Sequence, residues 1–585
     1  MEGKRRKFAA AILALVFLMS GAGFGASRVY AFPFGQVPGH FWATLNPYTA
    51  AVNAGDSAGI VAHGRRVMEH WFGNVDVNER AEQWGANVAA YGGIINLMWS
   101  VANNVANHYE RLGNRDGTLW ALRVAYAFVG PYQSLMPDIV AGNPADMEFA
   151  RIRLRNRIRA LDVNISLFAE LWDGSGETVF FGAPHEPETG VFFGEQPGLP
   201  TIADGPQLPS GLTIYVEFET EHLPSRVLYD LLTNELMHGL NRRDYSIIQI
   251  AWNFQREGHT PANVPNQRQK IVEAAQFLYG TNLPILLRVG GEVDVWTTEA
   301  NPDEFIAAFR FIANIMRQYA PNVAMVYSVN SVSAHGLDWM TFYPGDDYVD
   351  WVGISLYTIR YFMGNPETSD VDAAIFRTGQ YAYPIGFIRE LVEEFGDRKP
   401  ILISEGGVSL YNVRNSADLT EWALPRMRQV YSYIPMLFPQ VKAIFWFNVH
   451  VPGGNQRYDF DLSPEALALY RQLTAQPHFI GRGGTSSNVT YREICGEGVT
   501  FPANAVVLLT YAPFFALDSI LVEYRLNGAW LGSATDIPYR RVFNLSELAD
   551  GEHVLRVAAI YDGRTLQAIE FLLEKDGDYV VISAK

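Results

Sequence analysis

Short apolar segments alternate with amphipathic helical patterns between residues 175 and 480. Segment 284–289 has no polar alternation, so both faces of this strand are expected to be buried, as in a parallel sheet. The predicted strands are 179–181 or 191–193, 212–218, 246–252, 284–289, 323–329, 349–354, 400–404 and 442–447. The predicted helices between them are 226–240, 266–279, 302–319, 383–395 and 419–437. This alternation predicts a (β/α)8 TIM barrel. An open doubly wound sheet is the alternative, but no glycine-rich phosphate loop follows the first strand.

The pattern changes on both sides of this barrel. Residues 32–170 carry apolar positions at helical spacing and predict an α-helical accessory domain. Residues 481–487 form a linker rich in Gly, Ser and Thr, and the tail at 488–585 has strand alternation with an Asn-Gly hairpin turn at 527–528. This tail resembles the immunoglobulin-like modules of bacterial cell-surface enzymes, which are all-β sandwiches. A protein-binding or cell-wall-binding role is a further hypothesis for the two flanking regions.

The first 31 residues have the pattern of a secretory signal peptide. A basic cluster at 4–7 precedes an apolar run at 8–19, and small residues follow. The sequence therefore predicts a secreted or cell-surface bacterial protein with a signal peptide at 1–31. An uncleaved N-terminal anchor is the alternative, and no other apolar run reaches membrane-spanning length. The single cysteine, Cys495, excludes an intramolecular disulfide framework.

The composition and charge of the chain limit the partners and cofactors that it is expected to bind. Hydrophobic residues make up 48% of the chain and charged residues 18%, which supplies large cores and argues against disorder. The formal net charge of −17 repels phosphate backbones, so nucleic acid is not an expected partner. Aromatic residues reach 13%, which fits aromatic-rich cores and also sugar-stacking surfaces. The histidines form no HExxH or paired-ligand spacing, so neither a metal nor another cofactor is expected.

Two glutamates stand at the ends of predicted strands. Glu292 follows the fourth strand and Glu405 ends the seventh. In a closed barrel both would face the same mouth, where barrel enzymes place their catalytic groups. Retaining glycoside hydrolysis needs such a pair, with one carboxyl as the acid and the other as the nucleophile. Because one must be protonated while the other is ionised, their surroundings are expected to differ.

The barrel resembles glycoside hydrolase family 26, whose acid/base and nucleophile follow strands four and seven. Four segments carry the resemblance, and the third is the most specific: 287–292, 301–330, 343–354 and 399–405. The resemblance implies that Glu292 is the acid/base and Glu405 the nucleophile. It also implies a substrate-binding set made of Trp296, Tyr357, Trp446, Arg288, Asn330 and Trp252. In this set Tyr357 would hydrogen-bond Glu405, Arg288 would brace the site by ion pairing, and the tryptophans would line the mouth or stack on sugars.

The chain departs from the family at two places beside Glu292. Gly291 stands where the family has histidine, and Val293-Asp294 replaces the usual Asn-Gly. The sequence therefore predicts a secreted retaining endo-β-glycanase that acts on a polysaccharide, with mannan favoured and mixed-linkage glucan or β-1,3-xylan as alternatives. The alternative to an enzyme is a non-catalytic carbohydrate-binding or cell-surface protein built on a degenerate glycosidase barrel.

Overall fold

The computed structural model describes twelve stretches of the chain: 39–86, 88–129, 144–196, 206–217, 245–254, 260–296, 301–331, 339–360, 383–413, 416–515, 517 and 519–585. The predicted signal peptide at 1–31 and the predicted helix at 226–240 lie outside them. The chain divides into two units. The first contains Met1–Asp162 with Pro366–Tyr381 and Phe514–Leu517, and the second contains Val163–Asn365, Ala382–Pro513 and Asp518–Lys585.

The described part of the first unit is helical, as predicted. Its helices are α1 (Gly39–Ala54), α2 (Ser57–Phe72), α3 (Val77–Gly85), α4 (Val88–Arg111), α5 (Arg115–Val129) and α6 (Pro144–Leu161). Asp56 caps α2 by accepting a hydrogen bond from the Gly59 backbone N–H. Arg157 of α6 and Glu110 of α4 form an ion pair of 2.6 Å in which both side chains are buried. Among the described residues, no helix is long and apolar enough to cross a membrane.

The second unit contains a closed barrel of eight parallel strands. The strands from residue 163 to the end of the barrel are β1 (Ser166–Leu171), β2 (Val191–Glu195), β3 (Gly211–Glu217), β4 (Ile247–Asn253), β5 (Ile285–Val289), β6 (Val323–Asn330), β7 (Trp351–Thr358), β8 (Ile401–Val408), β9 (Tyr411–Asn412), β10 (Ala417–Asp418), β11 (Val441–Trp446), β12 (Gln456–Arg457) and β13 (Phe479–Ile480). Strands β2 to β8 pair in chain order, and β11 closes the barrel by pairing with both β8 and β2. The TIM-barrel prediction is therefore confirmed.

Helices follow the barrel strands in the described residues. They are α7 (Arg268–Thr281), α8 (Val293–Trp296), α9 (Pro302–Tyr319), α10 (Pro384–Phe395), α11 (Thr420–Arg428), a π-helical segment at Gln429–Tyr433, α12 (Ile434–Leu437) and α13 (Pro464–Thr474). In α9 the Asn301 side chain caps the first turn and Pro302 occupies the first helical position, where no backbone N–H is needed.

The barrel interior has an apolar floor and a polar upper layer. Residues Phe192, Leu286, Trp351 and Phe445 belong to the buried apolar cluster of the floor. Because side chains alternate along a strand, the inward residue two positions after Leu286 is Arg288. This polar layer is therefore at the carboxyl ends of the strands, where the candidate site is expected.

The C-terminal region is all-β, as predicted. Its strands are β14 (Thr490–Glu493), β15 (Val499–Pro502), β16 (Ala505–Tyr511), β17 (Leu521–Leu526), β18 (Ala529–Ala534), β19 (Arg541–Asn544), β20 (Gly551–Tyr561), β21 (Arg564–Asp576) and β22 (Tyr579–Ala584). They form two antiparallel sheets, with strand orders β14-β1-β16-β19 and β15-β22-β21-β20-β17-β18. Tyr524 joins the sheets, because its hydroxyl bonds the Thr510 side chain at 2.7 Å and its ring lies 5.5 Å from Phe543.

Strand β1 was not predicted. It precedes the barrel in sequence, yet it pairs with β14 and β16, which follow the barrel. The barrel is thus inserted between two neighbouring strands of one sheet. Tyr511 of β16 packs on Tyr433 of the π-helical segment that follows α11, with ring centroids 4.9 Å apart. The immunoglobulin-like interpretation and the domain boundaries 32–170, 175–480 and 488–585 stay predictions.

Candidate active site

The two candidate glutamates meet in the polar layer of the barrel. Glu292 follows β5 and Glu405 lies in β8, and each is only 6% exposed. Glu292 is among the groups that lower the pKa of Glu405, so the two carboxyls act on each other. Two buried carboxyls that interact are not expected to be ionised together, and the other neighbours of Glu405 decide its state.

Glu405 is surrounded by hydrogen-bond donors. Arg288 Nη1 donates to Oε2 at 2.9 Å, and the Tyr215 hydroxyl donates to the same oxygen. Ser355 Oγ donates to Oε1 at 3.0 Å. Burial by itself would raise the pKa of Glu405, but the charge of Arg288 and the hydrogen bonds from Arg288 and Tyr215 hold it below the ordinary value. Glu405 is therefore the ionised member of the pair.

Glu292 is held in an uncommon backbone conformation. Its φ is +58°, two residues after Gly290 at +59°, and non-glycine residues rarely adopt the left-handed region. Its backbone N–H donates to the Ser328 carbonyl oxygen at 3.2 Å, which fixes the turn against β6. Asn330 Nδ2 donates to Glu292 Oε1 at 2.7 Å. The turn therefore aims the Glu292 carboxyl at β6 and at Glu405 instead of continuing strand β5.

Arg288 occupies the space beside Gly291. A Cβ atom at Gly291 would lie 2.5 Å from both Cζ and Nε of Arg288, closer than real Cβ contacts. The guanidinium is buried, and its Nη2 donates to Ser355 Oγ at 2.8 Å. A histidine side chain at position 291 and the guanidinium at its present place exclude each other. The Arg288 guanidinium therefore occupies the space that a side chain at position 291 would need. The ion pair expected of Arg288 is present, and its partner is Glu405.

Asp294 is a third carboxyl close to the pair. It is 1% exposed, and its Oδ1 accepts the Asn330 backbone N–H at 2.9 Å. Burial raises the pKa of Asp294 to about 7, against the opposing effect of the Asn330 hydrogen bond and the Arg288 charge. This residue belongs to the Val293-Asp294 departure, and no site role was predicted for it.

Aromatic rings surround the carboxyl pair. The ring of Phe447 lies 6.2 Å from that of Tyr215 and 6.0 Å from that of Tyr357, both in edge-on geometry. Tyr458 lies 5.0 Å from Tyr357, measured between ring centroids. Tyr215, Phe447 and Tyr458 were not predicted. Tyr215 and Phe447 follow from strand alternation once the barrel register is known, whereas Tyr458 stands beside β12 and has no such signal.

Two tryptophans that were predicted to bind substrate, Trp446 and Trp252, do not face the carboxyl pair. Trp446 is 2% exposed, stacks on Phe460 at 4.9 Å, and donates from Nε1 to the Tyr458 backbone oxygen at 2.9 Å. Its neighbour Phe447 takes the inward position, because adjacent residues of a strand face opposite sides. The prediction that Trp446 stacks on sugars is therefore wrong.

Trp252 does not line the mouth either. Gln249 of the same strand faces inward, where its Nε2 donates to the Ser404 carbonyl oxygen at 2.6 Å. Trp252 stands three positions further on, so it faces the opposite side, and it is 2% exposed. The prediction of a mouth-lining Trp252 is therefore wrong. The side chain of Trp296 lies outside the described part of the chain, so its sugar-stacking role stays a prediction.

The hydrogen bond expected from Tyr357 comes from another tyrosine. Tyr215 donates to Glu405, and the donors to Glu405 in the described residues do not include Tyr357. Burial and then the Glu405 charge raise the pKa of Tyr357 above its ordinary value. Tyr357 lies near Phe447 and Tyr458 but does not make the predicted bond to Glu405, and its substrate-binding role stays a prediction. Asn330 contacts Glu292, and its bond to a sugar hydroxyl stays a prediction.

Removing Arg288 is expected to change the pH dependence of activity. Without the guanidinium, burial dominates and raises the pKa of Glu405 above the ordinary value of 4.5. Activity requires ionised Glu405, so the acid limb of kcat/KM should move to higher pH in Arg288→Met. The control Arg310→Met removes an arginine of α9 that bonds the Pro344 carbonyl oxygen instead. An unmoved acid limb in Arg288→Met would contradict the assignment of Arg288 to Glu405.

Glu195, at the end of β2, is a buried carboxyl outside the site. Its Oε2 accepts a hydrogen bond from Asn448 Nδ2 at 3.1 Å, and burial raises its pKa to about 8. Between the ordinary value of 4.5 and 8, the folded state binds a proton that the unfolded state lacks. Stability should therefore fall by about 1.4 kcal/mol per pH unit over this window as pH rises.

Glu195→Gln removes this titration and keeps an acceptor for Asn448. Denaturant unfolding of the wild type and Glu195→Gln from pH 5 to 8 measures how much of the pH dependence of stability comes from Glu195. The difference in the free energy of unfolding should grow with pH in favour of the variant. A difference that stays constant across the window would show that Glu195 ionises normally in the folded protein.

Comparisons with known proteins match the barrel region of the chain to glycoside hydrolases. Residues 255–382 match the family model described as Glycosyl hydrolase family 26. The chain is 26% identical over 295 residues to Endoglucanase H of Acetivibrio thermocellus, covering 48% of this chain and 28% of that protein. It is 31% identical over 103 residues to Beta-1,3-xylanase TXYA of a Vibrio species, covering 15% of this chain and 22% of that protein. The chain thus spans about a quarter of the length of these relatives.

A solved structure of a GH26 β-mannanase from Bacteroides ovatus is also similar. It shares 14% identity and has a TM-score of 0.35, and the match covers 51% of this chain and 92% of that chain. At this TM-score the likeness carries no conclusion about fold or function.

Proposed function

We propose that the protein is a secreted retaining endo-β-glycanase of glycosyl hydrolase family 26, whose model matches residues 255–382. The observation that carries the proposal is the buried pair of Glu292 and Glu405 at the ends of β5 and β8, with Arg288 in an ion pair of 2.9 Å with Glu405. A retaining glycosidase needs one protonated and one ionised carboxyl on the two sides of the scissile bond. Secretion rests on the signal-peptide pattern at 1–31.

The pair supports a double displacement. In the first step a Glu405 oxygen attacks the anomeric carbon, and Glu292 gives its proton to the leaving glycosidic oxygen. In the second step the Glu292 carboxylate takes a proton from water, the water oxygen attacks the anomeric carbon, and Glu405 leaves as a carboxylate. Arg288, Tyr215 and Ser355 hold Glu405 in place through both steps.

The similarity to glycosyl hydrolase family 26 and the names of the relatives support the proposed substrate class. A β-linked polysaccharide is the substrate, with mannan favoured by the family resemblance. The relatives' names mention glucan-cleaving and β-1,3-xylan-cleaving enzymes, so these glycans are included as alternatives. The rings of Tyr357, Phe447 and Tyr458 offer apolar surface to pyranose C–H groups.

The test is hydrolysis of β-mannan, mixed-linkage β-glucan and β-1,3-xylan. Reducing ends and viscosity are measured together, since an endo-acting enzyme lowers viscosity early. Proton NMR at short times then reports the anomer of the new reducing end, and the β anomer is expected. Binding of a glycan without hydrolysis would favour the non-catalytic alternative. Formation of the α anomer would contradict the retaining mechanism.

A further inference from the structure

The Val293-Asp294 departure brings a buried carboxylate next to the proposed acid. Asp294 lies in α8, the single helical turn that follows Glu292. Its Oδ1 accepts the backbone N–H of Asn330, the last residue of β6, at 2.9 Å. The side chain of the same Asn330 donates to Glu292 Oε1 at 2.7 Å. One asparagine therefore connects the two carboxyl groups, by its backbone to Asp294 and by its amide to Glu292.

We propose that Asp294 is a positioning residue that holds Asn330 against the Glu292 carboxyl, and so sets the geometry of proton transfer to the leaving group. This inference rests on the proposed function, in which Glu292 is the acid. Asp294 acts on Glu292 through Asn330, whose backbone N–H it accepts and whose side-chain amide bonds Glu292 Oε1.

The geometry explains why a second anchor is useful. Glu292 lies outside β5, in a left-handed conformation, so the strand ladder does not fix its carboxyl. Asn330 is the end residue of β6 and is only half-buried, so its neighbours in the ladder hold it less than a central residue. A carboxyl oxygen that accepts the Asn330 N–H from a buried turn restrains the strand end. General-acid catalysis depends on such placement, because proton transfer requires hydrogen-bond reach of the leaving oxygen.

The opposite end of β6 offers a matched control. There Asp350 accepts the Met325 backbone N–H from its Oδ2 at 2.7 Å, which is the same kind of contact on the same strand. Asp350→Ala therefore removes an equivalent restraint without touching Asn330 or Glu292. A defect that only reflects a loosened strand should be shared by Asp294→Ala and Asp350→Ala.

The experiment compares leaving groups. Values of kcat/KM are measured for the wild type, Asp294→Ala, Asp294→Asn and Asp350→Ala with aryl β-biosides of the sugar whose polymer the wild type cleaves. One aglycone is 2,4-dinitrophenol, which leaves without protonation, and the other is 4-methylumbelliferone, which needs more help from an acid. We expect Asp294→Ala to lose about 10- to 100-fold on the second substrate, within the range of general-acid effects, and much less on the first. Asp294→Asn keeps an oxygen acceptor for the Asn330 N–H and should stay close to the wild type on both.

Two results would overturn the inference. Equal losses of Asp294→Ala on both substrates, as for Asp350→Ala, would show a structural role only. A loss in Asp294→Asn as selective as that in Asp294→Ala would show that charge, not the hydrogen bond to Asn330, is what matters. A wild type that cleaves no β-glycoside would instead refute the proposed function, so the two failures are distinguishable.

Discussion

Glu405→Gln is expected to lower kcat/KM by about 10⁴-fold or more, the scale of loss when a covalent nucleophile is removed. An amide oxygen cannot form the glycosyl-enzyme ester, and no other described carboxyl receives the donors that surround Glu405. The substitution preserves size, and its oxygen still accepts from Arg288 and Tyr215, so the fold should persist. The measurement is kcat/KM on the glycan that the wild type cleaves, with thermal unfolding as the check on folding.

Glu195→Gln is the matched control for this variant. It also changes a glutamate at the end of a barrel strand, half-buried in this case, but Glu195 lies outside the carboxyl pair. Wild-type-like activity in Glu195→Gln and near-complete loss in Glu405→Gln would attribute the loss to the site. A folded Glu405→Gln with more than about a tenth of wild-type activity would contradict the role of nucleophile, because a missing nucleophile costs several orders of magnitude.

Restoring the family residue by Gly291→His is expected to lower activity, by about 100-fold. Even the first atom of the new side chain would lie 2.5 Å from the Arg288 guanidinium, so Arg288 must leave Glu405 and Ser355. Removing one partner of a buried ion pair costs about 3–5 kcal/mol, and a fold-change of about 100 corresponds to about 2.7 kcal/mol, just below that range. The acid limb of kcat/KM should move to higher pH, as in Arg288→Met.

A double-mutant cycle separates this cause from general damage at the turn. Gly291→Ala is combined with Arg288→Met, and kcat/KM is measured for both single variants and the double variant. If the alanine acts by displacing the guanidinium, it should cost little once Arg288 is gone. Full additivity, or an increase in activity of Gly291→His, would contradict the exclusion between position 291 and Arg288.

The barrel was predictable because its signal is local. Each of its strands is a short apolar run. The observed β5 and β6 differ from the predicted 284–289 and 323–329 by one residue at one end, and β4 is shifted by one residue from the predicted 246–252. The carboxyl pair was predictable because both glutamates follow such runs. Strand β1 was not predictable, since its partners β14 and β16 lie more than 300 residues further along the chain.

The aromatic residues of the site show where sequence reasoning fails. Trp446 and Phe447 are adjacent, and only the register of β11 in the closed barrel decides which of them faces the carboxyl pair. Tryptophan was preferred for its chemistry, whereas alternation places phenylalanine inside. Tyr215 was missed for a related reason, because nothing near it in sequence marks a contact with Glu405, 190 positions away. The contact between Gly291 and Arg288 was also not predictable, because it depends on the conformation of the Arg288 side chain.

The most direct measurement is to trap the glycosyl-enzyme intermediate. The wild type is incubated with an activated 2-deoxy-2-fluoro glycoside of the sugar whose polymer it cleaves, which slows both steps but allows the first to accumulate. Peptide mass spectrometry then locates the attached sugar. An ester on Glu405 is the expected result, and it should be absent from Glu405→Gln. Attachment to another residue, or hydrolysis to the inverted anomer with no attached sugar, would contradict the assignment of Glu405 as the nucleophile.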